Sequence, residues 1–375
     1  MASKVYFTTF KTNGSENLMQ KLQRLMKEAG FETLDLDKKY TAIKMHFGEY
    51  GNLSYIRPNY AKAVADYVKE LGGKPFLTDC NTLYVGSRKD ALEHLRNAAM
   101  NGFNYETTGC DVIIADGLRG NTEALVPING EYVKEAKIGK EIMEADAFIS
   151  LTHFKFHEQT AIGGTLKNIG MGCGSRAGKM EMHCDGKPEV DQDLCIGCGA
   201  CFNSCAHGAP IVKDGKCTID ENKCLGCGRC IAKCPMDAIH NEKWTSCKAL
   251  NSRMAEYAYA VCKDRPRFHI TLIMDCSPFC DCYATNDIPV IPDVGMLCSF
   301  DPVALDQCSA DLCNEQPIMH GSIIDTEENH AHEHEHGGAG DRPHMIHPDV
   351  EWQTCLEHAE KIGLGTREYE MIVMK

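Results

Sequence analysis

AIKMHFGEYGNLSYIRPNYAKAVADYVKELGGKPFLT (42–78) reads as strand, helix, strand. Ala42–Phe47 is strand-like and carries Lys44 and His46 two residues apart, on one face. Asn59–Leu71 is helical and is closed by Gly72-Gly73. Pro75–Thr78 is a short strand that runs into Asp79, Cys80 and Asn81. Repeated alternation of this kind predicts an α/β domain with a mostly parallel sheet.

The alternation continues outward on both sides. Lys4–Thr9 reads as a strand, and Glu16–Ala29 as a helix with Leu18, Leu22, Leu25 and Ala29 on one face. Lys89–Met100 is helical and ends at Gly102, while Asp111–Ala115 and Ala147–Thr152 are buried-strand candidates. After 245 the pattern resumes: helix Cys247–Val261, strands Phe268–Met274 and Pro289–Met296, and helix Asp301–Leu312 with Pro302 in its first turn. Val350–Ile362 is helical and Tyr369–Met374 is a last strand. Between these halves cysteine and glycine dominate and elements shorten. The expected organisation is an α/β domain (1–187 and 244–375) interrupted by a small insert (188–243).

The chain has 375 residues, enough for a sizeable core, and a net charge of −14. That charge argues against nucleic acid and against anionic lipid as partners. No apolar run is long enough for a transmembrane helix and the start does not read as a signal peptide, so a cytoplasmic location is expected. Cysteine is the outlier, at 22 residues, nine of them between 195 and 234. In a reducing compartment such density points to metal ligands or redox groups.

Residues 195–211 repeat at 224–240, an offset of 29. The first copy carries Cys195-x2-Cys198-x2-Cys201-x3-Cys205, and the second Cys224-x2-Cys227-x2-Cys230-x3-Cys234 followed by Pro235. Three thiolates surround one centre in such a run, and the fourth serves the other centre. Cluster one then takes Cys195, Cys198, Cys201 and Cys234, and cluster two takes Cys224, Cys227, Cys230 and Cys205. The segment resembles bacterial two-[4Fe–4S] ferredoxins, departing at Ala206-His207 where that family has proline. Structural zinc would want two Cys-x2-Cys pairs instead. Cys217 lies outside the spacing and reads as a buried thiol.

Ligands in open α/β sheets bind beyond the carboxyl ends of the strands. The residues there are Lys44, His46, Asp79, Asp116, His153, Lys155 and His157. The run IGGTLKNIGMGCGSRAGK (162–179) adds Lys167, Arg176 and Lys179 among six glycines, which suits an anionic ligand. Cys276-x3-Cys280-x-Cys282 follows the strand at 268–274 and reads either as a further metal site or as packed thiols. Cys298, Cys308 and Cys313 read as core. The stretch 325–347, with His330, His332, His334 and His336, reads as a solvated loop with incidental metal affinity.

The ordered set KMHFGE (44–49), LTHFKFHEQTAIGGTLKNIGMGCGSRAGK (151–179), the two cysteine motifs, CDCYATNDIPVIPDVGML (280–297), SFDPVALDQ (299–307) and GLGTREYE (363–370) resembles the domain of unknown function 362 family. It is similar to the iron–sulfur branch with an inserted ferredoxin, which implies two [4Fe–4S] clusters and anaerobic metabolism. A more distant similarity is to the amino-terminal domain of nickel-pincer lactate racemases. There a histidine precedes Gly-Gly-x-Lys, whereas Gly163-Gly164-Thr165-Leu166-Lys167 has one extra residue, so little supports a nickel cofactor at Lys167.

The expected function is an iron–sulfur redox protein whose clusters exchange electrons with a site on the α/β domain. Its partner would be a redox protein or a small anionic substrate. His46, His153 and His157 would hold a metal ion or act as acid–base groups, and Lys44, Lys167 and Arg176 would hold an anion. The alternatives are an electron carrier or scaffold without its own catalysis, or a metal- or cofactor-handling protein.

Overall fold

Eight strands make one sheet: β1 (Ser3–Thr9), β2 (Tyr40–Lys44), β3 (Lys74–Asp79), β4 (Asp111–Ile114), β5 (Ala147–His153), β6 (Arg267–Ile273), β7 (Gly295–Ser299) and β8 (Tyr369–Val373). The computed structural model describes residues 2–83, 86–184, 187–205, 207–224, 226, 228–240, 246–335 and 340–375. The sheet order is β8-β1-β7-β6-β5-β2-β3-β4. Only β7 runs antiparallel to its neighbours, β6 and β1. The other pairs are parallel, as the alternation predicts.

This order fixes where a site can form. The chain steps outward from β2 to β3 to β4, then returns to lay β5 on the other side of β2. The carboxyl ends of β2 and β5 therefore flank a topological switch point, where diverging connections leave a crevice.

The main helices are α1 (Leu18–Glu28), α2 (Pro58–Glu70), α3 (Ala91–Met100), α4 (Thr165–Cys173), α5 (Arg176–Cys184), α6 (Cys247–Cys262), α7 (Pro302–Asn314) and α8 (Gln353–Lys361). Side chains alternate across each strand, so both sheet faces carry a core. Ile43, Leu77, Ile149 and Phe268 pack with Leu22, Leu25 and Val64 of α1 and α2. Ala42, Phe76 and Phe148 face the other way, toward Leu166, Ile169, Met254 and Leu305 of α4, α6 and α7. Helices α1 and α3 start two residues later than the periodicity suggests. Asn17 and Asp90 are extended N-caps whose side chains accept from the first free backbone N–H groups.

Two expectations need correction. The strand placed at Pro289–Met296 lies at Gly295–Ser299 instead. Pro289 and Pro292 lack the N–H a ladder requires, so Val290 and Ile291 are buried outside the sheet. The histidine-rich loop is largely helical, at Glu327–Glu335 and Arg342–Ile346. Thr326 Oγ1 accepts from the Asn329 N–H at 3.2 Å, and Glu327 and Glu328 occupy the first turn, where the helix dipole favours acids. His336 lies outside the described residues, and the side chains of His332 and His334 do as well.

Among the described residues, the cysteine segment adds no strand to the central sheet. It forms two similar halves, offset by the same 29 residues as the sequence repeat. Short helices Ala200–Ser204 and Arg229–Lys233 follow Gly199 and Gly228, both at positive φ, where only glycine turns without strain. Strand Glu189–Val190 pairs with Ile239–His240, and Pro210–Lys213 pairs with Lys216–Ile219. Among the described residues, no helix is long and apolar enough to cross a membrane.

Candidate functional site

A cavity of about 520 Å³ opens at the switch point. Lys44, His46, Asp79, Lys155, His157, Lys167 and Lys179 line it, as do Arg88, His183, Cys280 and Cys282. It is built around buried charges.

Lys44 ends β2, and its ammonium lies 3.0 Å from Asp79 at the end of β3 and 2.8 Å from Asn168 Oδ1 on α4. Burial alone would raise the Asp79 carboxyl, but the Lys44 ammonium, with Lys179 beyond it, outweighs burial and holds it far below the ordinary range. Arg88 bonds Glu49 at 2.9 Å and lies 4.0 Å from Asp79. His46 accepts the Gly48 N–H on Nδ1 at 3.0 Å. Burial, with Arg88 nearby, pushes its pKa well below the usual value, so it is a neutral imidazole with its proton on Nε2.

His153 does not line the cavity. Its Nδ1 sits 2.9 and 3.0 Å from the two oxygens of Asp281, and its Nε2 is 2.7 Å from the Met274 carbonyl. The expectation that His46, His153 and His157 together meet a ligand is therefore corrected. The strand breaks at Phe154, and Lys155–His157 pairs with Ala161–Gly163 as a separate ribbon, so the same-face rule does not carry across. Lys155 and His157 reach the cavity, while His153 anchors Asp281 behind it. Among the described residues, no three His, Cys, Asp or Glu side chains converge to hold a metal ion.

Lys167 Nζ lies 3.3 Å from Cys280 Sγ. A hydrogen bond from Cys282, with Lys167 and His157, holds the Cys280 thiol well below its ordinary pKa despite burial. Cys276 points elsewhere, donating to the Phe154 carbonyl at 3.2 Å, so the three cysteines do not form one cluster. Arg176 is also corrected. It is fully buried outside the cavity, donating to the Lys89 carbonyl, and a Cβ on Gly228 would lie 2.9 Å from it. It wedges the cysteine segment onto the sheet rather than holding a ligand. Lys179 does line the cavity, its ammonium 2.6 Å from the Gly174 carbonyl. Asp116 accepts from Asn81 behind the cavity, and burial raises it to about 6.

Helix α4 is seated by Asp306 of α7, which accepts from the N–H groups of Thr165 and Leu166 at 2.6 and 2.8 Å. Burial raises Asp306 to about 6. The folded carboxyl thus holds its proton above the pH at which the unfolded one releases it. Stability is gained below about pH 4 and lost as pH rises through about 6. Asp306→Asn should flatten this part of a urea-midpoint profile, and should cost roughly 0.5–2 kcal/mol at neutral pH as the cap weakens. An unchanged slope would place the titration elsewhere.

The cysteine segment holds a second, much smaller cavity. Cys195, Cys198 and Cys201 line it with Cys234 of the other repeat, and Cys217 closes it. Backbone N–H groups point at sulfur: Cys217 N to Cys195 Sγ at 3.3 Å, Ala238 N to Cys234 Sγ at 3.3 Å and Gly226 N to Cys224 Sγ at 3.4 Å. Cys205, Cys224 and Cys230 are half-buried, and Cys227 lies outside the described residues. Cys217 is buried, and its sulfur accepts from Cys201 at 3.4 Å. The apolar cluster around these thiols includes Ile231, Ile239, Leu83 and Met180. Leu83 also lines the large cavity, and Lys89 and Asp237 pair at 2.7 Å across the junction.

Sequence reasoning missed Arg88, Glu49 and His183, and did not join Cys280 and Cys282 to the strand-end residues. The first three carry no spacing signal. The cysteines did carry one, since two residues flanking a buried aspartate in a turn point the same way.

The family model described as domain of unknown function (DUF362) matches residues 41–311. A thylakoid-associated protein of Synechocystis, sll1697, is 32% identical over 117 residues, 31% of this chain and 32% of its own length. The match thus spans about a third of that relative. The lactate racemase apoprotein of Thermoanaerobacterium thermosaccharolyticum superposes with a TM-score of 0.41 at 11% identity, covering 84% of this chain and 58% of its own. A Thermotoga maritima protein gives 0.38 at 14% identity, covering 70% and 53%. The matched residues 41–311 take in the large cavity and both cysteine motifs, and the chain belongs to the DUF362 family.

Proposed function

We propose that the chain is a cytoplasmic iron–sulfur redox protein. Its insert, residues 188–243, would bind two [4Fe–4S] clusters in the bacterial ferredoxin manner. Electrons would be exchanged with the cavity on the α/β domain, and the partner would be a redox protein or a small anionic substrate. The observation that carries this reading is the small cavity that Cys195, Cys198 and Cys201 share with Cys234. The crossed spacing requires that meeting, and a zinc site built from neighbouring cysteine pairs does not.

The donor set suits such a cluster. Four thiols line one space without three of them converging as a single metal ion requires, N–H groups point at Cys195 and Cys234, and apolar side chains pack beside the buried three while Cys198 is exposed. Cys224, Cys227, Cys230 and Cys205 would hold the second cluster. When bound, these groups supply one-electron transfer, at potentials between roughly −700 and +450 mV.

The chain's own residues do the rest. Lys155, Lys167 and Lys179 offer ammonium groups to an anion. His46 can donate a hydrogen bond from Nε2, and His157 is placed to move a proton. Leu83, Met171 and Leu250 add apolar wall to the cavity.

Anaerobically purified protein should contain about eight irons per chain. Cys201→Ser should damage the cluster completed by Cys234, and Cys205→Ser the other, as read by low-temperature electron paramagnetic resonance. Stoichiometric zinc in place of iron would overturn the reading. If each replacement damaged the cluster of its own motif, the crossed assignment would be wrong.

A further inference from the structure

We propose that Cys280 and Cys282 are a redox-active thiol pair that opens into the large cavity and exchanges with a small anionic disulfide. This names the redox group and the substrate class of the cavity, and it rests on the iron–sulfur reading only for the electrons that restore the pair.

The turn that carries the pair is fixed on several sides. The Tyr283 N–H donates to the Cys280 carbonyl at 3.1 Å. Between the cysteines, Asp281 is fully buried and turned away from the cavity, 2.9 Å from His153 and 3.1 Å from Lys155. Its carbonyl accepts the Glu49 N–H at 2.9 Å. With Asp281 held behind, its two neighbours both face the cavity. Residues two apart span at most about 7 Å when fully extended. A turn shortens that span into the Cα separations that disulfides adopt.

The two thiols are unlike. A hydrogen bond from Cys282, together with Lys167 and His157, favours the Cys280 thiolate. The same hydrogen bond and burial push Cys282 the other way. An attacking thiolate beside a protonated resolving thiol is the arrangement that exchange chemistry uses. The Lys167 ammonium, 3.3 Å from the Cys280 sulfur, opposes a metal cation at the same sulfur. Lys44, Arg88 and Lys155 are paired with Asp79, Glu49 and Asp281, which leaves the Lys167 and Lys179 ammonium groups, against Glu158, to receive a ligand carboxylate. The volume, about 520 Å³, suits a small molecule.

The step balances without a further reactant. The Cys280 thiolate attacks one sulfur of the substrate disulfide. A bond forms to Cys280, the substrate S–S bond breaks, and one thiolate leaves. Cys282 gives its proton to that thiolate, with His157 placed to relay it, and then attacks the Cys280 sulfur. The second substrate thiolate departs and an intramolecular disulfide remains. Two electrons pass from the pair to the substrate.

The test uses the full chain, reduced and purified without oxygen, with dithiobis(nitrobenzoate) as the anionic probe and dithiodipyridine as a neutral one. Peptide mass spectrometry should find a Cys280–Cys282 disulfide, formed with release of two thionitrobenzoates and no retained adduct. Cys282→Ser should keep one nitrobenzoate on Cys280, and Cys276→Ser should behave as the parent. Lys167→Met should slow the fast phase severalfold at neutral pH, because the ammonium that favours the Cys280 thiolate is gone. Its pH midpoint should rise while His157, His46, Arg88, Glu158 and Tyr283 still face the pair. A fast phase that survives Cys280→Ser, the absence of this disulfide in the parent protein, or a neutral probe that outruns the anionic one would overturn the proposal. Iron content, measured on the same samples, reports on the clusters alone. A pair that exchanges in iron-free protein leaves this proposal standing and removes the other, and iron beside an inert pair does the reverse.

Discussion

Replacing Asp79 by alanine should destabilise the protein by roughly 3–5 kcal/mol, because it strands the Lys44 ammonium in the interior. Lys44 and Asp79 are 1% and 3% exposed and 3.0 Å apart. Removing one partner of such a pair leaves a desolvated charge whose remaining contacts are Asn168 and the Met45 carbonyl. Arg88 loses less, since Glu49 still holds it. Replacing Lys44 and Asp79 together by methionine and leucine should recover most of the loss, as apolar pairs of similar volume often do.

The pH dependence has a definite sign. Asp79 and Asp281 titrate far below ordinary carboxylates in the folded protein. As pH falls through about 4, the unfolded chain binds protons that the folded chain refuses, so their contribution is present above that range and lost below it. Urea midpoints of the parent should fall steeply on acidification, and those of Asp79→Ala less so. A loss at neutral pH under about 1 kcal/mol would mean that water reaches the ammonium, and that the cavity is wetter than its burial implies.

Much of this site was legible because a parallel sheet collects its strand ends. Lys44, His46 and Asp79 stand at strand ends in the sequence itself, and topology brings them together. The rule failed where a strand stopped being a strand. His153 ends β5 and turns to Asp281, so period-two reasoning from His153 to His157 crosses a break that no residue in that stretch announces. Buried charges were equally hidden. Arg88 and Glu49 both lie in connections, 39 residues apart, and nothing in either neighbourhood marks them as partners. The repeat at 195–240 was legible to the residue, because glycine, helix and strand recur at one offset in both sequence and structure. The histidine-rich stretch shows the reverse case: composition suggested a solvated loop, whereas a threonine cap and two glutamates begin a helix.

Gly170→Ala should cost about 3 kcal/mol or more, against the direction that helix propensity predicts. In an exposed helix the change would stabilise by up to about 1 kcal/mol. Here a Cβ at 170 would overlap the Met254 carbonyl oxygen of α6, and a backbone oxygen inside a packed helix cannot rotate aside. The helices must separate, and a shift of that kind in a close-packed core outweighs the propensity gain. Gly172 provides the contrast two residues on. A Cβ there meets the Lys44 ammonium, the free end of a flexible side chain. Gly172→Ala should therefore cost less than Gly170→Ala, straining the Lys44–Asp79 pair and not the contact between the helices. Urea unfolding separates the two variants, and alkylation of Cys280 by iodoacetate reports on the site. Only Gly170→Ala moves α4 as a body, and with it the Lys167 ammonium that sits on Cys280, so only that variant should lose both stability and the fast thiol. Equal stability of Gly170→Ala and the parent would show that α4 and α6 are not in backbone contact at this position, and would loosen the cavity wall that α4 provides.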